Sequence, residues 1–142
     1  MPITFRLLSD ADERALDHVA EGVFDHPVIA EQWQAFLMDR RHVIAVAEDR
    51  RSADAVVVGF VSGVHYLHPD KRPQCWINEV STAPTHRRRG IASALLRLVV
   101  DRARAIGCTQ IWLATEADNE PARALYRSFG ADETPIVMFD LS

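Results

Sequence analysis

At 142 residues and 16.0 kDa, the chain has room for a single domain, 1–142, and little more. It is 48% hydrophobic and 25% charged, which excludes a disordered chain. Acidic residues number 20 against 16 Lys and Arg, a net charge of −4 that argues against a general nucleic-acid binder. Lys71 is the sole lysine, so arginine carries almost all of the positive charge. No apolar run approaches the ~18 residues of a membrane span, and Met1–Arg6 shows no signal-peptide pattern. Cys75 and Cys108 are far apart and form no CxxC. They suit small buried hydrophobes in a reduced, cytoplasmic protein.

In chain order, Ile3–Leu8 alternates enough to read as a strand. Ser9 or Asp10 can cap a helix running to about Ala20, with Asp12 and Glu13 suited to its positive end. His26-Pro27 marks a break, and a second helix is expected from Val28 to about Arg40, with Trp33, Phe36 and Leu37 inward. Val43–Ala47 reads as a strand and Asp49–Ser52 as a polar turn. Val56–Tyr66, rich in β-branched residues, reads as a longer strand, and Cys75–Thr82 as another after the loop Pro69–Pro73. Ile91–Ile106 predicts a helix whose polar positions Arg97, Asp101 and Arg104 share one face, closed by Gly107 in a left-handed cap. Gln110–Thr115 predicts a strand, Pro121–Phe129 a helix opened by proline, and Ile136–Leu141 a final strand. The order predicts an α/β (α+β) domain: one mixed, mostly antiparallel sheet with helices on both faces.

Two stretches carry chemistry. In Val80-Ser81-Thr82-Ala83-Pro84-Thr85-His86-Arg87-Arg88-Arg89-Gly90-Ile91-Ala92 a strand runs through an arginine turn into the longest helix. Helix starts expose unpaired amides and partial positive charge, Gly90 and Ala92 let an anion approach, and arginines add fork-shaped donors. This is the build of a pyrophosphate site; the bland alternative is a solvated arginine turn. No Gly-Lys-Ser/Thr and no GxGxxG accompany it. In the second stretch, Asn119 to Gly130, Ala122, Leu125 and Phe129 are core candidates. Tyr126 has a phenol that could protonate a leaving group, or simply a satisfied hydroxyl in the core.

Arg87-x-x-Gly90-x-Ala92 resembles the acyl-CoA signature of the GNAT acetyltransferase superfamily. Asn119-x-x-Ala122-x-x-Leu125-Tyr126-x-x-x-Gly130 resembles its second signature, one strand and helix later. Ala92 stands where glycine is commoner, and Gly130-Ala131 replaces Gly-Phe. The resemblance implies a GNAT-like acyl-CoA N-acyltransferase fold and an acetyl-CoA-dependent N-acetyltransferase without a metal. It implies that the backbone of Val80, Ser81 and Thr82 holds the pantetheine and polarises the thioester. The turn from Arg87, Arg88 and Arg89 through Gly90, Ile91, Ala92 and Ser93 would cradle the pyrophosphate. Asn119 would touch the cofactor arm, and Tyr126 would protonate the departing sulfur. The two flanking strands, Cys75–Thr82 and Gln110–Thr115, are expected to splay apart for the cofactor. Members are often homodimers.

An attacking amine must lose a proton near neutral pH. Glu79 is the first candidate base: its parity matches Ile77, which predicts a buried sheet face, where a carboxylate needs either a function or an arginine partner. Glu116 is the second. Glu79, Glu116, Asp118 and Glu120 are expected to make the mouth acidic and so to attract a polycation. His65 and Tyr66 are candidates to line the acceptor cleft. Phe24 and Trp33 either pack the helices or join that pocket. The segments 86–92, 121–126 and 136–141 resemble the aminoglycoside 3-N-acetyltransferase branch, which favours a small polycationic amine, an aminoglycoside above all. A peptide or protein N-acetyltransferase and a non-catalytic CoA-binding sensor are the alternatives. The six histidines form no metal-ligand pattern, and no nucleic-acid or membrane partner is expected.

Overall fold

The β-branched runs of the middle of the chain become its strands, and their small residues decide where the longest helix can lie. The computed structural model describes residues 2–142. Its elements are β1 (Ile3–Leu7), α1 (Ala30–Met38), β2 (His42–Asp49), β3 (Val56–Tyr66), β4 (Gln74–Thr82), a 3-10 turn (Pro84–His86), α2 (Ile91–Ile106), β5 (Gln110–Trp112) and α3 (Glu120–Ser128). One sheet runs β1-β2-β3-β4-β5. The first three pairings are antiparallel and β4 with β5 is parallel. Among the described residues no helix is long and apolar enough to cross a membrane.

The two sheet faces are built differently. On one, Ala45 pairs Val61 and Ala47 pairs Gly59, and these small residues let α2 approach closely. The α2 stripe Ile91, Leu95, Val99 and Ala103 is buried there. Gly107, at φ 103°, closes α2: its N–H reaches Arg104 O at 3.0 Å and Cys108 N–H reaches Ala103 O at 3.0 Å, a Schellman closure. On the opposite face Ile44, Phe60 and Ser62 meet Trp33 and Phe36 of α1 around a cavity. Helices therefore cover both faces, as expected.

Three expected elements differ. The helix over Ser9–Ala20 is absent. Asp12 does not leave the first-turn amides to a cap; it accepts from Ser9 N–H at 2.8 Å and from Arg6 at 2.7 Å. The Glu13 carbonyl, which a helix would use internally, accepts the Trp33 indole N–H at 2.9 Å. Farther on, Val57 N–H donates to His18 O and Ala20 N–H to Val57 O, so Val19 bridges β3 instead of coiling. Asp49 lies in β2, buried, and not in a turn. The last expected strand, Ile136–Leu141, pairs with nothing: residues 131–142 are all exposed. Glu133, held by Arg123 at 2.7 Å and Arg127 at 3.0 Å, fixes how that arm leaves α3, and the arm does not return to β5.

A Cβ on Gly59 would sit 3.0 Å from the Ser81 carbonyl and 3.1 Å from Ile91 Cγ2. Gly59→Ala should therefore cost about 1–3 kcal/mol by wedging α2 off the sheet, read as a lower urea midpoint at unchanged slope. An unchanged midpoint would disprove the close packing.

Candidate active site

Two features of β4 make the site. First, β4 and β5 share register only over Gln74–Trp76 and Gln110–Trp112. Trp76 and Trp112 meet edge to face at 4.6 Å at the end of that register. Beyond them β4 continues to Thr82 on β3 alone, while Leu113–Thr115 runs on unpaired. The sheet forks there as expected, and this is why β5 ends three residues short of the predicted Thr115. The fork leaves backbone groups of Val80, Ser81 and Thr82 on the β5 side free for a ligand.

Second, β4 bulges. Ser62 pairs Glu79 but Gly63 pairs Ile77, so Asn78 is an extra residue with no partner. The insertion inverts the alternation. Ile77 stays buried with Gly63, whereas Glu79 joins Ser62 on the cavity face. The expected shared face of Ile77 and Glu79 is thus corrected: Glu79 is an exposed residue that opens into a cavity instead of lying against the buried sheet. No cation pairs with it among the described residues. Burial of its carboxyl, and then the charge of Asp25, push its pKa up.

That cavity, about 350 Å³, is walled by Phe24, Trp33 and Phe36 and carries the carboxylates of Asp25 and Glu79. Phe24 stacks on Phe60 at 4.4 Å, and Ser81 Oγ ties β4 to Val23 O at 2.6 Å, so the 23–26 loop is fixed over the sheet. A wider depression on the outer side of α1, lined by Glu13, Arg14 and Asp17, holds no residue of β4. Of the expected mouth carboxylates, only Glu79 faces the cavity. Glu116 and Asp118 are exposed in the β5–α3 connection, and Glu120 pairs with Arg123 at 3.2 Å. His65 and Tyr66 stand at the far end of β3, where His65 Nε2 meets Arg40 O at 3.0 Å. Neither lines the cavity. Asp25, His26 and Phe36 do, and sequence reasoning missed them. Their signal was local: an acidic and an aromatic residue beside the helix-breaking His26-Pro27.

The arginine turn follows the fork. Ala83 N–H is bonded to Val58 O at 2.7 Å, holding the turn's start to β3. His86 is buried, its Nε2 2.9 Å from Asp49 Oδ2 and its Nδ1 2.8 Å from Thr85 Oγ1. The Arg51 guanidinium, then His86, hold the Asp49 carboxyl well below the usual carboxylate range. Above this anchor Arg87, Arg88 and Arg89 are exposed. Arg88 (φ 62°) and Gly90 (φ 74°) both adopt the left-handed conformation. No side chain caps α2, so the amides of Ile91, Ala92 and Ser93 stay unpaired. The turn can hold an anion at the positive end of α2.

On α3, Asn119 is engaged as the N-cap, its Oδ1 accepting from Ala122 N–H at 3.2 Å, and its amide NH₂ is left over. Tyr126 packs half-buried against the core. Its hydroxyl has no hydrogen-bond partner among the described residues, and burial pushes its pKa up. Arg97 of α2 lies 4.4 Å over the Phe129 ring and pins α3 beside α2. Among the described residues no cluster of His, Cys, Asp and Glu could hold a metal ion.

The sequence profile of the acetyltransferase (GNAT) family matches residues 6–131, and the chain belongs to that family. It is 33% identical over 91 residues to the L-2,4-diaminobutyric acid acetyltransferase of Nocardia farcinica, covering 61% of this chain and 46% of that protein. The chain spans about half the length of the first curated relatives it matches. In structure it resembles an aminoglycoside acetyltransferase from an uncultured soil metagenomic sample (TM-score 0.79, 23% identity, 100% of this chain and 99% of that one). It also resembles AAC(6')-Iy in complex with the bisubstrate analogue CoA-S-monomethyl-acetylneamine (TM-score 0.74, 21% identity, 99% and 97%). At these identities the two structures establish the shared fold. They do not single out a 3-N branch.

Because folding raises the Glu79 pKa, the native state holds that proton more tightly than the unfolded chain does. Its contribution therefore disfavours folding increasingly as pH climbs from the unfolded value, ~4.3, through the raised one. Glu79→Gln should raise the melting temperature at pH 7.5 slightly, on the order of a degree, and not at pH 4. A fall at pH 7.5 would show that the carboxylate has a stabilising partner.

Proposed function

We propose that the protein transfers an acetyl group from acetyl-CoA to a primary amine of a small polycationic acceptor, by direct attack. The observation that carries the reading is the position of Glu79. The bulge puts one unpaired carboxylate both on the strand that borders the fork and in the acidic cavity. The amine enters the cavity as an ammonium, attracted by Asp25 and Glu79. Glu79 takes its proton, with a pKa raised toward the working range. The neutral nitrogen attacks the thioester carbonyl held along Val80–Thr82; the C–N bond forms and the C–S bond breaks. Tyr126, with its proton held by burial, supplies a proton to the leaving thiolate, and the surplus proton on the newly acylated nitrogen returns the phenolate to the phenol. The turn Arg87–Ser93 binds the pyrophosphate through unpaired amides and arginine charge.

A volume of about 350 Å³ suits a small amine or aminosugar better than an open peptide groove. An aminoglycoside is the favoured acceptor. The acidic, aromatic-walled cavity supports it, as does likeness to an aminoglycoside acetyltransferase and to an enzyme named for a diamino acid. Whether transfer goes to a 3- or a 6'-amine is read from the products of a panel carrying each.

Calorimetry should show coenzyme A binding; no heat at millimolar coenzyme would remove the reading. Glu79→Gln and Tyr126→Phe should each lower kcat ~10-fold or more while leaving coenzyme affinity nearly unchanged. In the wild type, kcat should rise with pH through the Glu79 ionisation, and the Gln variant should lose that limb. Coenzyme binding without turnover on any amine would instead make the protein a CoA sensor.

A further inference from the structure

β3 breaks its own pattern near its centre. From Val56 to Val64 every residue is valine, phenylalanine or glycine except Ser62. A strand covered on both faces favours apolar, β-branched residues throughout. Ser62 is 5% exposed, and its neighbours on the cavity face are apolar: Phe60 two residues back, and Ile44 directly opposite on β2. A valine would fill the position and bring no polar atom with it.

Four polar or charged residues are buried among the described residues: Glu48, Asp49, Ser62 and His86. Glu48 holds Arg6 and Arg50, and Asp49 and His86 hold each other. The Ser62 hydroxyl has no partner among the described residues. Nor is its oxygen sealed in the core, where His42 Nδ1 alone stands unpaired; it opens into the cavity. An enclosed hydroxyl without a hydrogen bond costs the fold free energy. A strand that keeps one against its own apolar pattern has a use for it outside folding.

Across the ladder Ser62 pairs Glu79, and both residues line the cavity. Side chains directly opposite in an antiparallel pair have Cβ atoms about 5 Å apart. A nitrogen seated there can meet the carboxylate and the hydroxyl at once. We propose that Ser62 binds the acceptor: its Oγ accepts an N–H of the reacting primary amine while its own O–H donates to the Glu79 carboxylate. The ammonium gives one proton to Glu79, and the neutral nitrogen keeps a second N–H on Ser62, which fixes its orientation as the lone pair is released. Serine keeps its own proton throughout. The inference rests on the proposed acetyl transfer for the nature of the ligand, an amine.

Three variants separate binding from folding. Because the hydroxyl has no partner in the fold, Ser62→Ala should leave the melting temperature unchanged or raise it by on the order of a degree. The same change should lower kcat/KM for the amine ~10-fold or more, with KM for acetyl-CoA unchanged. Ser62→Cys, similar in shape but weak in hydrogen bonding, should fall with it, and Ser62→Thr should recover most of the loss. Calorimetry with 2-deoxystreptamine, a compact cyclic diamine, and no coenzyme tests the contact apart from transfer: Ser62→Ala should weaken binding ~10-fold. Amine affinity indifferent to Ser62→Ala would overturn the proposal, whatever happens to turnover. So would a melting temperature that falls together with the affinity, which would make the hydroxyl a structural one. Amine binding that depends on Ser62 without any turnover would sink the transfer reading and leave this site standing; a wild type that binds no amine would sink both.

Discussion

One surplus residue in β4 governs the arrangement of the site. Had Ile77, Asn78 and Glu79 alternated regularly, Glu79 would have shared with Ile77 the face covered by α2, where a carboxylate with no cation would be untenable. Because Asn78 is bulged out instead, Ile77 keeps its place in the core and Glu79 turns to the cavity. A bulge also sharpens the local bend of a strand. It lies just past Trp76, where β4 parts from β5, so it combines two functions: it redirects a carboxylate and accompanies the opening of the sheet edge.

The turn above the fork depends on a different kind of support. Exposed arginines and left-handed backbone are held by groups underneath them, not by contacts of their own. His86 reaches down to Asp49 at the end of β2, and Arg51 completes the cluster. The cluster is buried at the carboxylate and exposed at the guanidinium. An exposed, cationic surface is thus fastened to a strand through one imidazole, which keeps the amides of Ile91–Ser93 in place as α2 begins.

Legibility in the sequence followed the range of the interactions. Ile91–Ile106 was readable to the residue because its stripe and its Gly107 stop are local. β3 was equally readable because Val56–Tyr66 is rich in β-branched and aromatic residues, which outweigh its two glycines. The Ser9–Ala20 region misled because Asp12 and Glu13 look like helix-start residues, while their real partners, Arg6 and Trp33, are set by tertiary structure. The bulge has no decisive local signature: Asn78 is a residue that strands disfavour, but that alone does not mark a shift, and only the register against Ser62 and Gly63 reveals it. Asp25, beside the His26-Pro27 break, carried a local hint but no sign of its partner. It reaches Glu79 only because the 23–26 loop is tied to β4 through Ser81.

The buried thiols have a practical corollary. Cys75 is fully enclosed between β3 and β5, and burial together with the neighbouring Cys108 pushes its thiol up to about 11. Its Sγ lies on the Gly63 face of the sheet, the face that α2 covers. Alkylating reagents attack the thiolate, so at neutral pH they must wait for α2 to part from that face. Labelling speed at Cys75 therefore clocks the breathing of that layer, with no engineered probe.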